Sequence, residues 1–284
     1  MKNYRENRTR GTPDCPFARY RFTHRPGGIV CAPIHWHPEA ELLYMRHGEI
    51  EVRIGRNDLR LLPGDICFIP TNELHTIRTM APANTYDAFV FSLDLVTLPE
   101  AHFLQRELIQ PLSTGEIRFP WVLRQGELPY DTVAAALEQI SSCSIESENY
   151  KLTVFSSVIQ IFTAMKPLAE PCSAPTLHKG NDTIKDCLRY MDAHYADKLT
   201  LQDIADQVHL HPNYLCALFR KYTGQTIFEH LNQIRVEKAA KLLRTDDQSI
   251  SQVAELCGFD STSFFSRKFK QIMGTTPKAY SKQF

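Results

Sequence analysis

The chain has 284 residues, 43% of them hydrophobic, which suffices for two modest cores and exceeds what one small domain needs. Its 32 basic residues balance its 32 acidic ones, so overall charge singles out no partner and only local charge is informative. Eight cysteines, at 15, 31, 67, 143, 172, 187, 216 and 257, form no C-x-x-C pair, which argues against a zinc finger and for reduced thiols rather than a disulfide framework.

The opening "MKNYRENRTRGTPDCP" is polar and basic without an apolar h-region, and no stretch approaches the roughly 20 apolar residues of a membrane span. A soluble cytoplasmic protein with no membrane partner is expected. Residues from about 17 to 95 then read as β. Short alternating runs such as "ELLYM", "EIEVRIG" and "DICFIP" are separated by the turn signals "RHG", "GRND", "LPGD" and "PTNE". Strands this short and closely spaced suggest a barrel or sandwich.

Within that region "IHWHPEAE" (34–41) sets two histidines one residue apart and a glutamate four residues further on. With Gly48 and "PGDICFIPTNELH" (63–75), the set becomes His35, His37, Glu41, Gly48, Gly64, Pro70 and His75. These positions resemble the two signatures of the cupin family, departing at Asn72, where that family usually has glycine. The resemblance covers about 60 residues and implies a barrel in which His35 and His37 point inward together, Trp36 points outward, and Glu41 and His75 converge from neighbouring strands. Three imidazoles and a carboxylate are a donor set for Mn, Fe, Ni or Zn, with positions left for water or substrate. They serve equally to hydrogen-bond a small polyol without metal, or as interior polar groups of a structural core. Trp36, Tyr44, Phe68, Phe89 and Phe91 are the aromatic candidates for apolar faces of such a pocket.

From about 98 to 166 the pattern becomes helical. Val133, Leu137 and Ile140 share one face, and so do Leu152, Phe155, Ile159 and Phe162. These stripes are too apolar for lone surface helices, and a dimer contact is expected of them. "KPLAEPCSAPTLHKGND" (166–182), with three prolines, reads as a linker.

The last third contains an internal repeat of about 50 residues. "LQDIADQVHLHPNYLCALFRKYTG" (201–224) aligns with "ISQVAELCGFDSTSFFSRKFKQIMG" (250–274). Ala205 falls on Ala254, Val208 on Cys257 and, after one inserted residue, Tyr214 on Phe264, Phe219 on Phe269 and Gly224 on Gly274. Each copy reads as a short helix, a tight turn and a second amphipathic helix closed by glycine, which is helix-turn-helix grammar. "TIFEHLNQIRVEKAAKLLRT" (226–245) has the period of one continuous helix joining them. Charge is divided to match: 261–284 carries five basic residues and no acid, whereas 182–208 carries six aspartates against three bases. A one-sided basic footprint of this kind suits nucleic acid.

Residues 183–284 resemble the DNA-binding domain of the AraC/XylS family of bacterial transcription regulators, on "IADQV…NYLCALFRKYTG" and "VAELCGFDSTSFFSRKFKQIMGTTPKAY". The resemblance implies seven helices, with two recognition helices entering successive major-groove segments. The candidates for base contact are His211, Asn213, Cys216 and Ala217 in the first unit and Thr262, Ser263, Ser266 and Arg267 in the second. Arg267 suits guanine, whose O6 and N7 one guanidinium bonds together, and a phosphate contact is its alternative. Arg220, Lys221, Lys268 and Lys270 are placed on phosphates; Tyr214, Leu215, Phe219, Phe264, Phe265 and Phe269 are placed in the core.

The expected fold is multidomain: an all-β cupin barrel, a helical connector and an all-α double helix-turn-helix domain. The expected boundaries are 1–98 for the barrel and its N-terminal arm, 99–167 for the connector and dimer region, 168–181 for the linker and 182–284 for the DNA-binding domain. The first sixteen or so residues are read as an arm over the pocket or as disorder, the composition leaning to disorder. Fusion to a DNA-binding module turns the pocket residues His35, His37, Glu41 and His75 from catalysis toward sensing, so no enzyme is expected. The partners expected are double-stranded DNA, a small polar effector, foremost a sugar, a second copy of the chain and RNA polymerase. No cofactor is required, and a divalent transition metal in the pocket is the alternative use of the same four residues.

Overall fold

In the computed structural model of the protein, the described residues are 10–24, 30–80, 83–99, 102–172, 175–245 and 248–282. They fall into two units divided between Lys179 and Gly180.

The first unit is built on eight strands: β1 (Phe17–His24), β2 (Val30–His35), β3 (Ala40–His47), β4 (Ile50–Ile54), β5 (Asn57–Leu61), β6 (Ile66–Ile69), β7 (His75–Thr79) and β8 (Asn84–Phe91). A five-stranded sheet runs β1-β8-β3-β6-β10, where β9 (Ile117–Arg118) and β10 (Val122–Leu123) are two-residue strands. A four-stranded sheet runs β2-β7-β4-β5, and every described pairing in both sheets is antiparallel. Between the sheets lies a core of Leu43, Met45, Ile50, Val52, Ile54, Cys67, Ile69, Ile77, Tyr86, Ala88 and Val90. The alternate residues of the five-stranded sheet, Leu42, Tyr44, Ile66, Phe68, Phe89 and Phe91, face the other way into a second core.

That second core is closed by α1 (Gln110–Thr114), α2 (Tyr130–Ser142) and α3 (Tyr150–Met165). Val133, Leu137 and Ile140 are buried there together, as their spacing predicts. On α3 the buried stripe is Val154, Val158, Ile161, Phe162 and Met165. Leu152 and Phe155, expected on the same face as Phe162, are instead 67% and 43% exposed. The helix has apolar residues on two faces, and periodicity alone merged them. At the edge of this core Asp87, fully buried, takes bonds from Arg21 (Nε 2.6 Å) and Arg46 (Nε 2.8 Å), and Arg46 also pairs with Glu138 of α2.

After α3, β11 (Glu170–Pro171) pairs back onto β9. α4 (Pro175–Ala193) then runs through much of the stretch that the prolines suggest is a linker. The second unit continues with α5 (Leu201–Gln207), α6 (Pro212–Thr223), α7 (Ile227–Thr245), α8 (Ile250–Leu256), α9 (Thr262–Met273) and α10 (Pro277–Ser281). Among the described residues that makes seven helices, the number the resemblance implies. α5–α6 and α8–α9 are the two repeats. Phe219 is buried in the first, and Phe265 and Phe269 pack with Ala254 and Tyr280 in the second. No helix of the described residues is long and apolar enough to cross a membrane.

Candidate functional site

The pocket is assembled by a bulge. Ala32 of β2 pairs with Ile77 and His35 with His75, so three positions of β2 span two of β7. The extra residue keeps Ala32 and His35 directed to the same interior. β2 ends at His35, so His37 is carried by the turn before β3 and not by strand alternation. Trp36, expected outward, is buried at 2% exposure. The backbone N–H of Asn72 donates to the His37 carbonyl at 2.8 Å, and Asn72 itself adopts φ 58°. Asparagine is among the few side chains that tolerate this left-handed conformation, which accounts for its standing where cupins usually have glycine. Glu41 reaches the cluster from β3 of the facing sheet rather than from a neighbouring strand.

The rings converge: His35–His75, His37–His75 and His35–His37 centroids lie 4.1, 5.1 and 5.7 Å apart. One ligand atom from each histidine lies within 4.8 Å of the other two. Glu41 Oε2 stands 3.1 Å from His37 Nε2 and 3.4 Å from His75 Nε2. Each histidine sets Nδ1 against a backbone carbonyl two residues away: His35 on Pro33 (2.8 Å), His37 on Glu39 (3.0 Å) and His75 on Glu73 (2.9 Å). Burial alone would raise the Glu41 carboxyl, but the bonds to His37 and His75 hold it well below the ordinary carboxylate range. Burial, and then His75, push His35 well below the usual imidazole value, so it is uncharged near neutrality. The result is a compact polar cluster of three imidazoles and a carboxylate, in which His37 and His75 both face the carboxylate. The donor set also fits a divalent transition metal, since a carbonyl behind each ring is the usual support of a ligating histidine.

Four of the five aromatics expected to line this pocket do not. Tyr44, Phe68, Phe89 and Phe91 lie on the helix-facing side of their sheet. The aromatics packed on the inter-sheet core are Tyr20, Phe22, Tyr86 and Trp121. Sequence reading also missed Arg10. Its side chain is 4% exposed and 3.9 Å from Glu39, which stands 3.5 Å from His37. Arg10 and Cys15 are both buried and anchor this segment, whose residues 11–14 are exposed, whereas composition leans to disorder; residues 1–9 lie outside the described residues.

In the second unit, Asn213, Cys216, Ala217 and Arg220 are exposed at i, i+3, i+4 and i+7 along α6, opposite the buried Leu215, Phe219 and Tyr222. Lys221 is exposed beside them. His211 is the N-cap of α6, its Nδ1 accepting the Asn213 N–H at 3.3 Å, so only its outer nitrogen is spare. On α9, Thr262, Ser263, Arg267 and Lys270 are exposed and Ser266 is half-buried. Lys268 is half-buried over the Phe264 ring and donates to Gln271 (3.3 Å). Tyr214 and Phe264, expected in the core, are 58% and 37% exposed. The adjacent Leu215 and Phe265 occupy the core position instead, leaving one ring near the start of each second helix beside the polar face.

Two facing sheets around a histidine pocket, on one chain with paired helix-turn-helix units, define a ligand-responsive DNA-binding regulator. Comparison with known proteins agrees in both halves. The AraC-like ligand binding domain matches residues 17–151, and a helix-turn-helix domain matches residues 204–283. The chain belongs to the AraC family of transcription regulators. The regulatory protein PocR of Salmonella typhimurium is 41% identical over 109 residues, 38% of this chain and 35% of that protein, so the match spans about a third of PocR. The regulator YdeC of Bacillus subtilis is 24% identical over 99% of this chain and 97% of its own. The melibiose operon regulatory protein of Escherichia coli is 24% identical over 87% of this chain and 83% of its own.

Proposed function

We propose that the effector is a neutral, hydroxyl-rich metabolite, a carbohydrate, held by His35, His37, Glu41 and His75. The observation that carries this reading is the convergence of three imidazoles and a carboxylate in one largely buried cluster that offers both donors and acceptors. Sugar hydroxyls both donate and accept, and each bond to the Glu41 carboxylate is charge-assisted. The melibiose operon protein, similar along most of its length, supports a sugar. DNA is read by Asn213, Cys216, Ala217 and the outer face of His211 on α6 and by Thr262, Ser263, Ser266 and Arg267 on α9. Arg220, Lys221, Lys268 and Lys270 take phosphates. Tyr214 and Phe264 join the reading face as apolar contacts, for instance to thymine methyl groups. Two copies pair through the exposed Leu152 and Phe155 of α3, bringing four helix-turn-helix units to paired half-sites.

The test is a mobility shift on the DNA upstream of the protein's own gene, with and without a panel of free sugars. A sequence-specific shift whose midpoint moves with one sugar, and stops moving in His37→Ala, is the expected result. No specific shift at moderate salt under any condition would sink the reading.

A second reading has its own support in the carbonyl behind each ring. In it His35, His37, His75 and Glu41 hold a divalent metal, which supplies a Lewis-acidic centre and is itself the signal. Protein purified without a nickel column should then carry close to one metal per chain, and less than about a tenth would remove this reading.

A further inference from the structure

We infer that Arg235 is a positioning residue for DNA binding, fixing the second recognition helix relative to the first by clasping the end of α4. The inference rests on reading α6 and α9 as recognition helices.

Arg235 lies on α7, the helix that joins the two repeats. Its Nε donates to the Tyr195 carbonyl at 2.7 Å and its Nη2 to the Asp197 carbonyl at 2.9 Å. Both acceptors lie just past α4, where the chain turns toward the first repeat. The guanidinium also sits 5.8 Å from the ring of Phe259, in the turn of the second repeat. Phe259 in turn packs on Phe265 (5.0 Å) and Phe264 (6.2 Å) of α9. One side chain therefore touches the scaffold ahead of the first unit and the aromatic turn that seats the second recognition helix.

The same stretch of backbone receives the second turn directly. A Cβ on Gly258 would stand 2.8 Å from the carbonyl oxygens of Tyr195 and Ala196. Gly258 and Arg235 thus meet consecutive carbonyls, 195 to 197. One helical turn along α7, Lys238 pairs with Asp192 at 2.9 Å and lies 4.8 Å over the Tyr195 ring, reinforcing the clasp.

The second unit is packed on α7 through Val236, Ala239 and Leu243 against Val253, Phe265 and Phe269, so what remains to be fixed is this assembly against the end of α4. Two donors of one rigid fork, bound to two carbonyls at once, fix that orientation, whereas a lysine makes one flexible contact. The clasp is spent on geometry rather than core volume, because Arg235 borders an open groove of about 590 Å³ shared with Lys198, Glu255, Phe259 and Asp260. Its substitution leaves no apolar cavity. Two recognition helices on one face of a duplex need their separation held, since the groove repeat is fixed by the DNA.

The test uses full-length protein and a DNA site selected from a random pool by the wild type. Arg267→Ala assigns the two halves: the half whose scrambling no longer matters in that variant belongs to α9. Arg235→Lys and Arg235→Met should keep wild-type helicity and a cooperative melt. The wild type's preference for the intact site over one with the α9 half scrambled should fall at least tenfold in both variants, while binding to the α6 half is unchanged. A one-base-pair insertion between the halves, damaging for the wild type, should be better tolerated. Equal loss on intact and scrambled sites, an unchanged preference, or failure of both variants to fold would overturn the inference. If scrambling either half has no effect in the wild type, the recognition-helix reading fails instead.

Discussion

The two helix-turn-helix units have one backbone and two chemistries. α5 and α8 start 49 residues apart, α6 and α9 start 50 apart, and both second helices end on a left-handed glycine at φ 75°, Gly224 and Gly274. The first helix of each is closed by a capping box, Thr200 with Asp203 in one and Ser249 with Gln252 in the other. The turn residue is left-handed in both, yet it is His209 (φ 54°) in the first and Gly258 (φ 78°) in the second. Arg267 stands where the first unit has Ala217. The second unit is therefore the more closely seated on its neighbours and, on the proposed reading face, carries the longer side chain. The first tolerates a bulky residue in a strained turn and offers a shorter surface. Duplicated architecture has not meant duplicated duty.

The largest effect should come from Gly258→Ala, which adds a carbon against two carbonyls and a disfavoured φ together; we expect a loss of about 3 kcal/mol by chemical denaturation. A cost below about 1 kcal/mol would mean that the turn gives way more easily than a close-packed contact allows. Arg267→Ala should weaken the selected DNA site by about 2 kcal/mol and spare non-specific binding; equal loss on both reassigns the side chain to phosphate. Truncating the caps, Thr200→Ala or Ser249→Ala, should cost about 1 kcal/mol each.

The two caps should separate on acidification. The Thr200 side chain and backbone N–H hold the Asp203 carboxyl below its ordinary value. A depressed folded pKa contributes stability above the unfolded carboxylate value, and that contribution disappears as pH falls through the folded one. Amide exchange at the start of α5 should therefore accelerate in acid, whereas the start of α8, capped by the non-titrating Gln252, should not respond through its cap. Parallel behaviour at both ends would break the comparison. The smallest effect is His209→Gly, expected to stabilise by about 0.5 kcal/mol as relief of strain outweighs the added freedom of the unfolded chain.

The repeat, its closing glycines and the histidine cluster were all legible in the sequence because each rests on spacing. His35, Glu41 and His75 are fixed by strand register, and the recognition faces by a helical period. What escaped were decisions between two faces that look alike. Every residue of β3 from Ala40 to Met45 is buried, so no alternation says whether Tyr44 turns to the other sheet or to the helices. On α3 a second apolar stripe hid the true one. Tyr214 and Phe264 carry the right composition for a core, but the neighbouring Leu215 and Phe265 complete the i, i+4 pair with Phe219 and Phe269. Arg10 gave no signal, since a basic residue in a polar segment shows no sign of burial until its partner Glu39 is placed in space.

The carbonyl bonds behind the three rings have one more consequence. With each Nδ1 set against a backbone carbonyl, the three rings are held in place around the Glu41 carboxylate. If that carboxylate meets the effector, as the carbohydrate reading has it, an acid or a phosphate ester is disfavoured there relative to a neutral polyol. Under the carbohydrate reading, the chain reports a free sugar ahead of its phosphorylated form, and so at uptake rather than after the first kinase has acted.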